Sequence, residues 1–267
     1  TEPKNIDRSK GILPQKEKGS LQPIIPQSIE EQRRLQLERL AAGFRLFALY
    51  GFDEGLAGHI TLRDPEFSDH FWVNPLGMNF SQISVSDLLL VKEDGQIIQG
   101  NRPINPAAFA IHSSIHKARP DVNSAAHAHS VFGRTFSSLG KLLDPITQDA
   151  ALFFQEQAIY DSYGGVAFDI EEGLAIAEAL GEKRTAILQN HGLLTTGTSV
   201  DIAIWLFIAM DKCCQSQLLA DSAGSPIIIS DEIALQAKAQ AGTDMILWAS
   251  FQPLYDLIYA MEPNFLK

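Results

Sequence analysis

The chain has 267 residues, 45% of them hydrophobic, enough to fill one large core or two small ones. Its formal net charge of −11 disfavours a nucleic-acid backbone or an anionic membrane surface as main partner, and no basic run with interleaved aromatics is present. No apolar stretch reads as long enough to span a membrane.

Residues 1–27 carry Pro14, Pro23 and Pro26 with little periodicity and read as an extended N-terminal arm. The first part, Thr1 to Lys18, is polar and charged and has no apolar signal region. From 28 to 267 no repeat or linker interrupts the pattern, so one domain is expected there. Ser28-Ile29-Glu30-Glu31 has the form of a capping box, and behind it Leu37, Leu40, Ala41, Phe44 and Phe47 keep helical spacing up to about Gly51. Gly55 to Arg63 reads as a glycine loop entering a strand, with Phe71-Trp72-Val73 as its partner, closed by the turn Asn74-Pro75-Leu76-Gly77. His70 falls in a polar turn and reads as solvated. Leu88 to Val91 and Gln96 to Gln99 flank Glu93-Asp94-Gly95, a hairpin signal. Such an antiparallel opening differs from a doubly wound nucleotide-binding fold.

Pro106 to Lys117 reads as a helix with proline in its first turn. It carries His112 and His116 four residues apart, on one face. No Glu follows His112, so the zinc-protease pattern fails; packing or hydrogen bonding is the favoured reading, with His116 on the helix surface. After Arg119-Pro120 comes Ala126-His127-Ala128-His129-Ser130. On a strand, residues two apart share a face, so two imidazoles would stand side by side. His191, delivered by the short strand Thr185 to Leu188, is the best third ligand for a metal site with open positions. Asn190 either orients that imidazole or closes a turn.

Val131 to Leu139 looks helical, and Tyr160, Tyr163 and Gly164-Gly165 read as an irregular, site-lining segment. Asp169 is expected to cap a helix running to Gly181. Ser199 starts a long helix, Val200 to Ala220, apolar all round and therefore buried. Within it Cys213 and Cys214 are neighbours that point about a hundred degrees apart, which opposes a disulfide and favours packing as free thiols. A reduced, cytoplasmic protein is the resulting expectation. Ile227 begins a short apolar run before another helix, and Trp248 to Met261 is the last amphipathic element.

Four segments together carry a family resemblance: Gly58-His59-Ile60-Thr61-Leu62-Arg63, Asn74-Pro75-Leu76-Gly77, Ala118-Arg119-Pro120-Asp121-Val122 leading into His127-Ala128-His129, and Asn190-His191-Gly192-Leu193. In this order they resemble the class II aldolase/adducin family over roughly Glu31 to Ala220. The resemblance implies an α/β fold, a three-layer α/β/α sandwich around a central mixed, largely antiparallel sheet. It implies a homo-oligomer, often a tetramer, with sites at subunit interfaces. It also implies that His127, His129 and His191 hold a divalent metal ion, usually zinc, with manganese, cobalt or iron(II) in some branches.

The departures from that family bear on function. The aldolases carry a Ser-Ser-Glu run whose Glu transfers protons and whose serines help hold a phosphate. Here the run reads Pro106-Ala107-Ala108, and Ala108 cannot do acid or base work. His59 replaces the Asn of the glycine loop, and Asn74 to Gly77 replaces a hydroxyl-bearing turn. With these donors gone, a sugar phosphate is an unsuitable substrate, and an unphosphorylated, aromatic 2-oxo or 2-hydroxy acid fits better. Adducins, read as scaffolds, also lack the Glu.

Three functions are compatible with these residues. The first is a metal-dependent lyase cleaving a carbon–carbon bond by aldol or decarboxylase chemistry. The second is an iron(II) oxygenase catalysing oxidative decarboxylation, resembling fold members of aminocoumarin antibiotic pathways. The third is an adducin-like, non-catalytic binding module. Proton transfer would fall to His59, His112 or Tyr160, and Asn74, Gly77, Ala108 and Gln148 would face the small carboxylic acid.

Overall fold

The computed structural model describes residues 19–165 and 170–267, so Thr1 to Lys18 and the cap expected at Asp169 lie outside the described residues. The Ser28 hydroxyl starts α1 (Ile29–Leu49) by accepting from the Glu31 N–H at 3.2 Å. The Glu31 carboxylate accepts from the Gln27 N–H at 2.6 Å, one residue before the cap, so the expected box forms only in its Ser28 half and its return bond goes to the entering chain. The helix stops at Tyr50, where Gly51 takes a positive φ of 75°.

Eight strands follow: β1 (His59–Arg63), β2 (His70–Val73), β3 (Leu89–Lys92), β4 (Ile97–Gln99), β5 (Ser124–Ala128), β6 (Gln157–Tyr160), β7 (Thr185–Leu188) and β8 (Gly192–Gly197). They form one sheet in the order β4-β3-β2-β1-β5-β8-β7-β6. Every pairing is antiparallel except that of β6 with β7. The other helices are α2 (Pro106–Ala118), α3 (Val131–Ser137), α4 (Gln148–Ala151), α5 (Ile170–Leu180), α6 (Val200–Ala223), α7 (Asp231–Ala241) and α8 (Asp244–Met261).

Alternation along the strands divides the core in two. Ile60, Leu62, Ala126 and Leu193 join the α1, α6 and α8 side, while Ala186, Leu188 and Leu194 join Ile111 and Ile115 of α2 and Ile176 and Leu180 of α5. The result is the sandwich with a mixed, largely antiparallel sheet that the motifs imply. α6 has the length and apolarity of a membrane span, contrary to the first reading, but 67% of its most apolar stretch is buried inside the fold. It carries Cys213 and Cys214, both buried and free. On this side Arg39 of α1 donates to Gln252 Oε1 of α8 at 3.0 Å, and Gln252 Nε2 donates to Asp201 Oδ1 of α6 at 3.0 Å.

Several elements differ from expectation. β6 is a strand where the sequence reads as irregular around Tyr160, and β8 has no sequence signal. His70 is not a solvated turn residue: it opens β2, and its Nδ1 lies 2.7 Å from Asp69 Oδ1. On the other face, α2 and α5 meet at Gly173, where an added Cβ would stand 2.1 Å from the Ala110 carbonyl oxygen. Backbone cannot yield as a side-chain tip does. Gly173→Ala is therefore expected to lower stability by about 1–3 kcal/mol, as overpacking does, read as a lower urea midpoint.

Candidate metal centre and its cavity

β5 runs between β1 and β8, and its register sets His127 opposite Leu194 on one side and His59 on the other. His129 stands just beyond the strand end. His191 lies in the tight β7–β8 turn, where its N–H donates to the Leu188 carbonyl at 3.0 Å. The turn is possible because Asn190 adopts a φ of 58°, a conformation Asn tolerates better than most residues. Asn190 thus closes the turn with its backbone.

These three elements bring the ligating nitrogens of His127, His129 and His191 within 4.8 Å of one another. The His127 Nδ1 donates to the Leu193 carbonyl at 2.8 Å, which leaves the Nε2 lone pair for a cation. Burial is the main reason that all three rings hold protons weakly: His127 lies well below the ordinary imidazole value, His129 is lowered, and His191 falls to about 4. Neutral nitrogen donors in a converging trio suit zinc, iron or another transition metal and suit magnesium or calcium poorly, so the residues present fit the implied ion.

Beside the trio is a cavity of about 330 Å³. Its walls are Leu56, Ala57, Leu76, Pro106, Ala107 and Ile111, with His59 and Asn105 as polar members, and among the described residues no Asp, Glu, Lys or Arg lines it. Asn74 and Gly77 line a smaller recess that shares Leu56, Ala57, Gly58, Leu76 and Asn105 with it. The other expected site residues are not brought together here. Ala108 is buried outside the lining, and its neighbour Ala107 faces the cavity instead. Gln148 is exposed at the start of α4. Tyr160 packs into the α2–α5 core from β6, where burial and then Glu172 raise its phenol above the usual range. Tyr163, by contrast, has its ring centroid 6.3 Å from that of His191.

A second histidine group was only partly anticipated. His59 and Thr61 of β1 point to the face covered by α2, where His112 and His116 meet them: His59 Nδ1 is 2.6 Å from His112 Nε2, and Thr61 Oγ1 lies 2.6 Å from His112 Nδ1 and 2.9 Å from His116 Nε2. His116 is therefore buried, not on the helix surface as its pattern suggested. The missed residue is Thr61. Its signal was the period-two pair His59-x-Thr61 facing an i, i+4 histidine pair.

Burial, then the Arg63 guanidinium, pushes His116 down to about 3, and burial lowers His59 and His112 well below their ordinary value. In the unfolded chain these rings titrate near about 6.5. As pH falls below that value the unfolded chain takes up protons that the folded chain refuses. Stability should then drop by up to about 1.4 kcal/mol per pH unit for each ring that stays neutral. The urea midpoint of metal-free protein is expected to fall steeply from pH 7 to pH 5; a flat profile would show that the rings accept protons in place.

The sequence matches the model of the class II aldolase and adducin N-terminal domain over residues 38–218. It is 42% identical over 245 residues, 91% of each chain, to Decarboxylase NovR of Streptomyces niveus. It is 43% identical over 236 residues, 88% of this chain and 85% of the other, to a 4-hydroxy-3-prenylphenylpyruvate oxygenase/4-hydroxy-3-prenylbenzoate synthase of Streptomyces roseochromogenus subsp. oscitans. Among solved structures, L-fuculose 1-phosphate aldolase from Glaciozyma antarctica PI12 superposes with a TM-score of 0.87 at 41% identity, covering 92% of this chain and 97% of that one. Motifs, sheet and matches agree, and the chain belongs to the class II aldolase/adducin family.

Proposed function

We propose that this chain is a metal-dependent enzyme that removes the carboxyl carbon of an unphosphorylated aromatic 2-oxo or 2-hydroxy acid in an oxygen-consuming reaction. The observation that carries this reading is the cavity: a histidine trio at its edge, apolar walls, and, among the described residues, no Asp, Glu, Lys or Arg in its lining. Its volume of about 330 Å³ is enough for one aromatic ring with a short side chain. Among the described residues the lining offers a sugar phosphate no Lys or Arg and an aldol reaction no carboxylic acid to move its protons. The names of two relatives, a decarboxylase and a phenylpyruvate oxygenase, support the same substrate class.

His127, His129 and His191 would hold the ion, which when bound supplies a Lewis-acidic, oxygen-binding position. The remaining roles belong to the chain. Leu56, Leu76, Ala107 and Ile111 hold the ring and exclude water. His59, whose ring centroid is 5.0 Å from that of His127, is the proton-handling group at the wall. Asn74 meets the substrate from the adjoining recess; its buried Oδ1 makes no hydrogen bond among the described residues. Exposed apolar side chains on α7 and α8, among them Ile233, Met245 and Ile246, accord with assembly into a homo-oligomer.

The test is elemental analysis of protein purified without added metal, followed by a screen of aromatic 2-oxo and 2-hydroxy acids under air and under nitrogen. Carbon dioxide release with oxygen uptake, in air only, is expected. Release under nitrogen would replace this reading with a non-oxidative lyase, for which His59 supplies the proton carrier. Absence of both metal and turnover would leave a binding module.

A further inference from the structure

One line of hydrogen bonds runs from the backbone at Val122 to the cavity wall, and its direction is fixed at the far end. His116 Nδ1 lies 3.3 Å from the Val122 carbonyl oxygen. From His116 Nε2 the line continues through Thr61 Oγ1 and His112 to His59 Nδ1. All four side chains are buried, so each imidazole is neutral, with one N–H and one lone pair.

A carbonyl can only accept. His116 must then donate from Nδ1, and its Nε2 accepts from the Thr61 hydroxyl. The Thr61 oxygen accepts from His112 Nδ1–H, and His112 Nε2 accepts from His59 Nδ1–H. The last ring is left with a lone pair on Nε2. The opposite polarity would need an N–H aimed at His116 Nδ1. Arg63 Nη2 stands 3.4 Å away, but it has two hydrogens and three nearer carbonyl oxygens to serve: His116 at 2.6 Å, and Arg119 and Val122 at 3.3 Å each.

We infer that Thr61 and His116 are positioning residues that fix His59 as a hydrogen-bond acceptor toward the cavity. The substrate atom beside His59 is then a donor, which selects the hydroxyl of a 2-hydroxy acid over the carbonyl of a 2-oxo acid. The choice of substrate rests on the function proposed above; the polarity of the line does not.

Two measurements test the two parts separately. Neutron diffraction from deuterium-exchanged crystals of the metal-loaded protein should place deuterium on Nδ1 of His59, His112 and His116. Deuterium on Nε2 of His59 overturns the inference whatever the enzyme's substrate proves to be. In the second, zinc-loaded protein is titrated under nitrogen with mandelate and with phenylglyoxylate, a 2-oxo acid that cannot enolise. Thr61→Val removes the hydroxyl at nearly constant volume and should weaken mandelate about tenfold, the worth of one hydrogen bond, with phenylglyoxylate changed less than about twofold. Thr61→Ser should restore mandelate binding. Equal weakening of both acids, or no rescue by serine, overturns the selection of a hydroxyl. If neither acid binds the unaltered protein, the proposed function fails, and the neutron result alone decides the polarity.

Discussion

Replacing His129 by alanine should abolish metal retention and leave the fold intact. Of the three proposed ligands it is the one least tied to the scaffold. It lies past the end of β5 and is only half-buried. His127, in contrast, is buried and hydrogen-bonds the Leu193 carbonyl, so its loss would confound binding with stability. Two imidazoles make a poor site for a transition metal. The loss should exceed the ~10–100-fold typical of removing an outer-shell partner. Bound metal per chain, measured after gel filtration, should fall from one equivalent to a trace, with the circular dichroism and urea midpoint of the metal-free protein unchanged. A full equivalent retained by His129→Ala would dismiss the trio as a metal site.

The second large effect is expected far from the cavity. Arg39 lies with its guanidinium carbon 3.4 Å above the Tyr255 ring centroid and its Nη1 4.0 Å from Asp201 Oδ1. Both partners are almost wholly removed from solvent. Burial raises the Asp201 carboxyl above its ordinary value, and Arg39 is the charge that opposes this rise. Arg39→Ala leaves a buried carboxylate answered by Gln252 and a backbone N–H but by no opposing charge from Arg39, and should cost about 3–5 kcal/mol. An apolar exchange at both positions, Arg39→Met with Asp201→Leu, should recover most of that loss, because the desolvation cost disappears with the charges. Urea melts of the single and double variants decide the matter. A double variant as unstable as the single one would mean that the guanidinium acts through the Tyr255 ring and not through the ion pair.

What could be read from the sequence depended on how local the signal was. The cap at Ser28, the proline that opens α2, the glycine turn at Gly95 and the His127-x-His129 pair each declare themselves within a few residues, and each element stands where it was expected. β8 does not. All six of its residues are buried, so no apolar–polar alternation marks it, and its first residue is a glycine. β6 pairs in parallel with β7 at the sheet edge, a contact that no nearby residue announces. His116 was misplaced because a helix face does not say what covers it, and its cover, Thr61, lies 55 positions earlier. Ala108 and Ala107 were exchanged for the same reason: one step along a helix turns a side chain about 100°, and only the tertiary structure says which of the two meets the cavity.

The pairing of His59 with His127 across β1 and β5 limits how such a catalyst can diversify. A slip of one residue between these strands would turn the imidazoles of one strand to the opposite layer, so insertions and deletions there are intolerable. The segment just before β1 is under no such constraint. Residues 55–58 follow Glu54, which is clasped by Arg134 of α3 at 2.9 Å, and supply Leu56, Ala57 and Gly58 to the cavity without joining a ladder. Grafting a different peptide between that clasp and Gly58, which its φ of 94° and its closeness to Phe80 and the His127 carbonyl reserve for glycine, is thus the cheapest route to a new appetite on an unaltered reactor.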